Sequence, residues 1–208
     1  MKHLLFLIAI ASLTLTSCTQ ETLTNTDPQG DNLYESFMIK RNADGTYALN
    51  HEVTEGVATD YTTSNGVNEI YLYKDGNTKK MNNTKEYAVE NNNLRFIFTD
   101  ENNNRLPKVN IFDNNTKDHA IGLLKTYNVV DQNDETVTVN FTVEKGVQVV
   151  FKYNAEEKAN EIHLSQGNNN QTEYTKNYTK NDKELKVDFI QETTKDNTIK
   201  KPRVIISA

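Results

Sequence analysis

The residues best suited to acid–base or metal chemistry are the histidines at 51, 119 and 163, and their spacing fits neither role. No H-E-x-x-H pair occurs, and none of the three recurs in the internal repeat described below. They read as surface or strand-rim residues. Asp and Asn gather at Asp100 to Asn104, Asp113 to Asp118 and Asp131 to Glu135. Oxygen ligands of that kind suit calcium, but the spacing of a calcium-binding loop is missing, and turns favour Asp and Asn for backbone reasons. No metal site and no cofactor is therefore expected. Glu156 and Glu157 are adjacent and so point to opposite faces of a strand, whereas glycoside hydrolysis needs two carboxyls converging on one cleft. Ser36, Ser64, Ser165 and Ser207 have no nucleophile elbow around them. The expected protein is not an enzyme.

What remains is a set of polar and aromatic residues that occur twice: Asn68, Glu69 and Tyr87, then Asn160, Glu161 and Tyr178. Tyrosine offers an apolar ring with a polar tip, useful at an interface. These six are the candidate binding residues. The alternative is that Asn-Glu opens a strand after a turn and the tyrosine packs on a sheet.

The elements that position them come from a tandem duplication. Residues 33–61 align with 123–151 at a shift of 90 positions. Leu33, Asp44, Thr46, Asn50, Val53, Gly56 and Val57 then meet Leu123, Asp134, Thr136, Asn140, Val143, Gly146 and Val147. With small gaps, Asn68-Glu69-Ile70 meets Asn160-Glu161-Ile162, and Thr84-Lys85-Glu86-Tyr87 meets Thr175-Lys176-Asn177-Tyr178. Leu94 and Phe98 meet Leu185 and Phe189, and Pro107-Lys108-Val109 meets Pro202-Arg203-Val204.

Both copies alternate apolar and polar residues with period two, as in Leu94, Phe96, Phe98 and in Leu185, Val187, Phe189. Asp44-Gly45, Glu55-Gly56, Asp75-Gly76, Lys145-Gly146 and Gln166-Gly167 punctuate the strands. The fold class is all-β: a duplicated antiparallel meander of six or seven strands per copy, making two small sandwich- or barrel-like units packed together. The alternative is one larger barrel or sandwich with pseudo-two-fold symmetry. A helix is considered only near Ala120 to Leu124, where an extended entry strand fits as well.

At the start of the chain, Lys2 precedes a short apolar run, Leu4 to Leu15, and then Leu15-Thr16-Ser17-Cys18. This is the layout of a secretory signal, and the run is shorter than the roughly 20 residues that cross a bilayer as a helix. The last four residues resemble a bacterial lipobox. With the abundance of Asn, Lys and Thr, the start of the chain resembles outer-membrane lipoproteins of Bacteroidota. That resemblance covers about the first 20 residues. It implies cleavage before Cys18, acylation of that residue with palmitate-type chains, and Thr19 permitting transport to the outer membrane. The periplasmic and surface faces stay open.

The expected organisation is a signal peptide over 1–17, lipidated Cys18 with a flexible tether over 18–31, and β units over 32–116 and 117–208. Cys18 is the only cysteine, so its acylation leaves no disulfide, thiolate site or cysteine nucleophile. A net charge of −6 and a pI near 5.3 argue against nucleic acid as partner. Absent tryptophan weakens a stacking sugar site, while ten tyrosines keep a glycan in view. The expected function is a membrane-anchored, non-enzymatic envelope lipoprotein binding an outer-membrane protein or a glycan. A lipocalin-like carrier of a small apolar ligand is second, and a hydrolase of envelope or external glycans third.

Overall fold

The computed structural model describes residues 33–101, 106–113, 122–180, 184–192 and 198–207. The expected signal segment, Cys18 and the expected tether, His119, and most of the Asp100–Asn104 and Asp113–Asp118 clusters lie outside these residues.

The first copy forms seven strands: β1 (Tyr34–Arg41), β2 (Tyr47–Val53), β3 (Val57–Ser64), β4 (Val67–Lys74), β5 (Asn82–Tyr87), β6 (Asn93–Asp100) and β7 (Lys108–Phe112). The second repeats them as β8 (Leu124–Asp131), β9 (Thr136–Val143), β10 (Val147–Asn154), β11 (Ala159–Gln166), β12 (Glu173–Thr179), β13 (Glu184–Glu192) and β14 (Thr198–Ser207). No helix occurs among the described residues. Gly122 and Leu123 form a turn and Leu124 opens β8, so the described part of the candidate helix is turn and strand.

The fourteen strands make two sheets, ordered β12-β9-β8-β1-β2-β5 and β10-β11-β13-β14-β7-β6-β4-β3. The sheets pack face to face and do not close into a barrel. Each order reads the same from either end once a strand is exchanged for its repeat counterpart. Ile39 pairs with Val129, its own repeat equivalent, and Asn110 pairs with Ile205, likewise its own equivalent. A pseudo-dyad therefore runs through both pairs, perpendicular to the sheets. Of the two arrangements the repeat allowed, the strand pairing is that of a single sandwich shared by both copies.

Neither copy is a simple meander: the chain changes sheets after β2, β4 and β5, and again after β9, β11 and β12. β5 crosses from the eight-stranded sheet to the six-stranded one, and the chain returns as β6, parallel to β4; β12 does the same between β11 and β13. A strand lent to the opposite sheet serves as the crossover that a parallel pair requires.

The facing sides hold the core: Phe37, Ile39 and Leu49 with Tyr127, Val129 and Val139 from one sheet, and Ile70, Phe96 and Phe98 with Ile162, Val187 and Phe189 from the other. Phe98 packs 5.8 Å from Phe37, and Phe189 packs 5.0 Å from Tyr127, the same contact in each copy. The turns repeat as well. Gly56 and Gly146 have φ of 82° and 87°, a region open to glycine, and each receives a backbone bond from Gly76 or Gly167.

Charge enters the core at the dyad. Arg41 is fully buried and its Nε donates to Asp113 at 2.6 Å, while the Tyr47 hydroxyl donates to the same carboxylate at 2.8 Å. At the symmetry-related position, buried Asp131 accepts from Lys180 at 2.9 Å. Removing one partner strands the other charge, so Asp113→Asn is expected to cost about 3–5 kcal/mol, read from urea unfolding. Replacing the pair together, Arg41→Met with Asp113→Leu, is expected to recover most of that loss.

Candidate functional site

The six residues singled out by the repeat do not converge. Asn68 and Glu69 lie on β4 of the eight-stranded sheet, while Tyr87 ends β5 of the other sheet. Asn68 donates to the carbonyl of Arg95 at 3.1 Å, and Asn160 donates to that of Lys186 at 3.4 Å. Each amide thus ties the start of a parallel strand pair, which is a structural task. Glu69 points to the opposite face, where Thr99 donates to it at 2.8 Å.

Tyr87 packs edge-on against Phe96 at 4.8 Å, and Tyr178 occupies the equivalent place with its hydroxyl buried and unpartnered. Burial pushes both phenols up to about 12. The neighbouring lysines repeat too: Lys85 lies over the Tyr61 ring at 4.5 Å and Lys176 over Phe151 at 5.3 Å. These groups close the two lateral edges of the sandwich, about 24 Å apart across five strand spacings.

Glu161 belongs to the most polar cluster on the outer face of the eight-stranded sheet. His163 bridges it, with Nε2 2.8 Å from Glu161 and Nδ1 2.8 Å from Glu192. Asn154 donates to the other Glu161 oxygen at 2.9 Å. Two carboxylates from separate strands do approach each other, but the imidazole fills the space that a reacting atom needs. Beside them, Arg203 donates to Asp188 at 2.7 and 2.6 Å and also to Glu157, and the Asp188 bonds hold the guanidinium pKa up. Among the described residues no group of three or more His, Cys, Asp or Glu is arranged to hold a metal ion. The Asp-rich turns use their carboxylates locally: Asp44 and Asp134 each accept from the backbone and hydroxyl of a threonine two residues on.

A feature that both copies share on a solvent face lies on the outside of the six-stranded sheet. One groove, about 380 Å³, is floored by Ser36 and Met38 of β1, Asn50 and Glu52 of β2, and Asn82 and Thr84 of β5. The other, about 410 Å³, is floored by Thr126 and Asn128 of β8, Asn140 and Thr142 of β9, and Glu173 and Thr175 of β12. Every one of these twelve positions is the repeat equivalent of another. The groove centres, on β2 and β9, are three strand spacings apart, about 14 Å. Sequence reasoning placed Asn50, Asn140, Thr84 and Thr175 in the repeat but gave them no role. Identical polar residues at outward positions in both copies were the available signal.

The grooves differ in how their amides are satisfied. In the second, Thr175 donates to Asn140 at 2.7 Å and Asn140 to Asn128 at 2.8 Å, a closed chain. In the first, Met38 replaces Asn128, and the Asn50 amide oxygen is buried with no hydrogen-bond partner. A buried acceptor left empty costs roughly 1–3 kcal/mol, which a ligand donor would relieve. The rim carries charge: Lys80 pairs with Glu35 and lies 3.9 Å from Glu52, and the Glu35 hydrogen bond raises its pKa. A further cavity, about 590 Å³, lies at the end of the sandwich around Leu33, Gly56 and Gly76. It is walled mainly by turns, and Leu33, the first described residue, lies at this end.

His51, expected at the surface or a strand rim, is instead a core residue, 1% exposed. It stands where Phe141 stands in the other copy, edge-on to Tyr61 and Phe98 as Phe141 is to Phe151 and Phe189. Neither ring nitrogen has a hydrogen-bond partner. Burial pushes its pKa down from 6.5 to about 4. The unfolded chain thus takes up the proton first: stability is full above pH 6.5, falls as the pH drops toward 4, and levels below that. The loss is expected to reach up to about 3 kcal/mol. In His51→Phe this part of the pH dependence disappears, as chemical unfolding at a series of pH values will show.

Comparison of the chain with protein-family models, with curated proteins and with solved structures finds no match.

Proposed function

We propose that this chain is a lipid-anchored, non-enzymatic binding protein of the bacterial cell envelope that holds a glycan in paired grooves on one sheet face. The observation that carries the reading is the duplication of the groove itself: two equivalent concave polar sites on the same exposed face. Core residues recur because both copies must pack. Outward Asn50 and Asn140 stand opposite Thr84 and Thr175, and only in the second copy does the threonine satisfy the amide oxygen, which leaves that of Asn50 open to a ligand.

Amide and hydroxyl groups, with one carboxylate in each groove (Glu52 and Glu173), match a ligand rich in hydroxyls and without negative charge. The empty acceptor of Asn50 calls for a donor, which a sugar hydroxyl supplies. Recognition here is by hydrogen bonds rather than by ring stacking, in keeping with a chain without tryptophan. Two sites on one rigid face raise affinity for a multivalent polymer by effective concentration alone. A lipocalin-like carrier draws no support from the geometry, because the sheets are separate and their facing sides are filled by side chains.

Membrane attachment rests on Cys18. Cys18→Ala is expected to abolish incorporation of labelled fatty acid and to move the protein out of the membrane fraction; retention of both would remove the anchor. For the grooves, amide resonances are to be followed during titration with neutral gluco- and manno-oligosaccharides to millimolar concentration. Shifts are expected at Asn50, Thr84 and their counterparts, and Asn50→Ala with Thr84→Ala should cut binding at the first groove at least tenfold. An unchanged spectrum with every sugar would overturn the glycan assignment.

A further inference from the structure

The sandwich has four lateral edge strands, β5 and β12 in one sheet, β3 and β10 in the other. Three carry the polar or charged residues that discourage a further strand from adding: Asp60 in β3, Lys85 and Glu86 in β5, Glu173 and Lys176 in β12. β10 carries a single charge, Lys152, which lies 3.9 Å from Glu192 of β13. Like β3 it pairs with its neighbour over eight consecutive positions without a register shift, and it presents Val150 and Phe151, each 39% exposed, and Tyr153, 56% exposed. Its repeat counterpart β3 has Asp60, Tyr61 and Thr63 at those places. The carboxylate at the centre of the edge is present in one copy and replaced by Val150 in the other.

We infer that β10 is an interface through which two molecules of this chain pair, antiparallel and about a two-fold axis at Val150, joining their eight-stranded sheets. Three observations select a second copy as the occupant. The molecule already joins two copies of its own repeat in this way, at β1 with β8 and β7 with β14, each centred on a residue and its equivalent.

Pairing about Val150 also opposes no like charges. Val150 meets the second copy's Val150, Phe151 meets Val149, Lys152 meets Gln148 and Tyr153 meets Val147. The same pairing at β3 would set two Asp60 carboxylates face to face, which is destabilising. Finally, Val147, Val149 and Phe151 point toward the opposite sheet, so the new neighbour would extend the buried layer already present. A dimer of this kind carries two lipid anchors and four grooves, and it stands whether or not the grooves take a glycan.

The position on the axis gives the test. Cys18 is the only native cysteine, so in the intact lipoprotein a Val150→Cys variant carries its introduced thiol opposite its own copy, within disulfide reach. Mild oxidation of cells is expected to give a covalent dimer on a non-reducing gel, whereas Asp60→Cys, labelled by maleimide to the same extent, stays monomeric. Sedimentation of the detergent-solubilised lipoprotein is expected to show a dimer that Val150→Asp, the residue of the other copy, converts to monomer. Val150→Cys that reacts with maleimide but never cross-links, or a dimer that survives Val150→Asp, overturns the inference.

Discussion

Everything in this molecule depends on two backbone pairings across the pseudo-dyad, β1 with β8 and β7 with β14. Without them each copy would be half a sandwich, three strands facing four, with a hydrophobic edge open on both sheets. Such a unit of about 80 residues has a modest core at best. Pairing edge to edge doubles the core and removes four exposed edges at once, two from each copy. The cost of ordering a long chain is offset over one large interior rather than two small ones.

The same pairings explain which repeated features persist. The turn networks at the ends of the sandwich are kept almost bond for bond: Thr54 to Leu33 and Gly56 to Thr78 in one copy, Glu144 to Leu123 and Gly146 to Asn169 in the other. The asparagines that open the parallel strand pairs are kept for the same reason. These are constraints of backbone satisfaction, since a buried peptide group without a partner is costly wherever it occurs. A repeated residue is therefore a poor pointer to function until its structural task has been discounted. Asn50, whose amide oxygen has no partner, passes that filter; Asn140, bonded to Thr175 and Asn128, and Asn68 and Asn160 do not.

Strand class, strand number and the repeat were legible because period-two alternation and glycine turns are local signals. The joint sandwich was one of two readings, because pairing between distant strands such as β1 and β8 leaves no mark within either strand. The parallel pairs were missed for a related reason: β5 looks like any polar edge strand, and only its transfer to the other sheet makes a crossover. His51 was misjudged because a histidine within an alternating strand reads as polar. Its alignment with Phe141 held the correction, since a core position in one copy is a core position in the other. The grooves were hidden because shape on a sheet face arises from neighbours on three strands.

Fusion of the copies also frees them to differ, and the differences fall where a dimer of identical chains could not place them. A homodimer must carry the same residue on both sides of its axis; Arg41 and Asp131 stand at equivalent positions with opposite charge, each neutralised by its own partner. Two buried arginines there would each need a carboxylate, and two aspartates each a cation. Split between the signs, the junction holds one charge of each kind in the same interior. The same freedom leaves the Asn50 acceptor empty while Asn140 is satisfied, and blunts β3 with Asp60 while β10 carries Val150. Duplication thus supplied a scaffold symmetric in its backbone, and divergence then made its two grooves and its two edges different in chemistry.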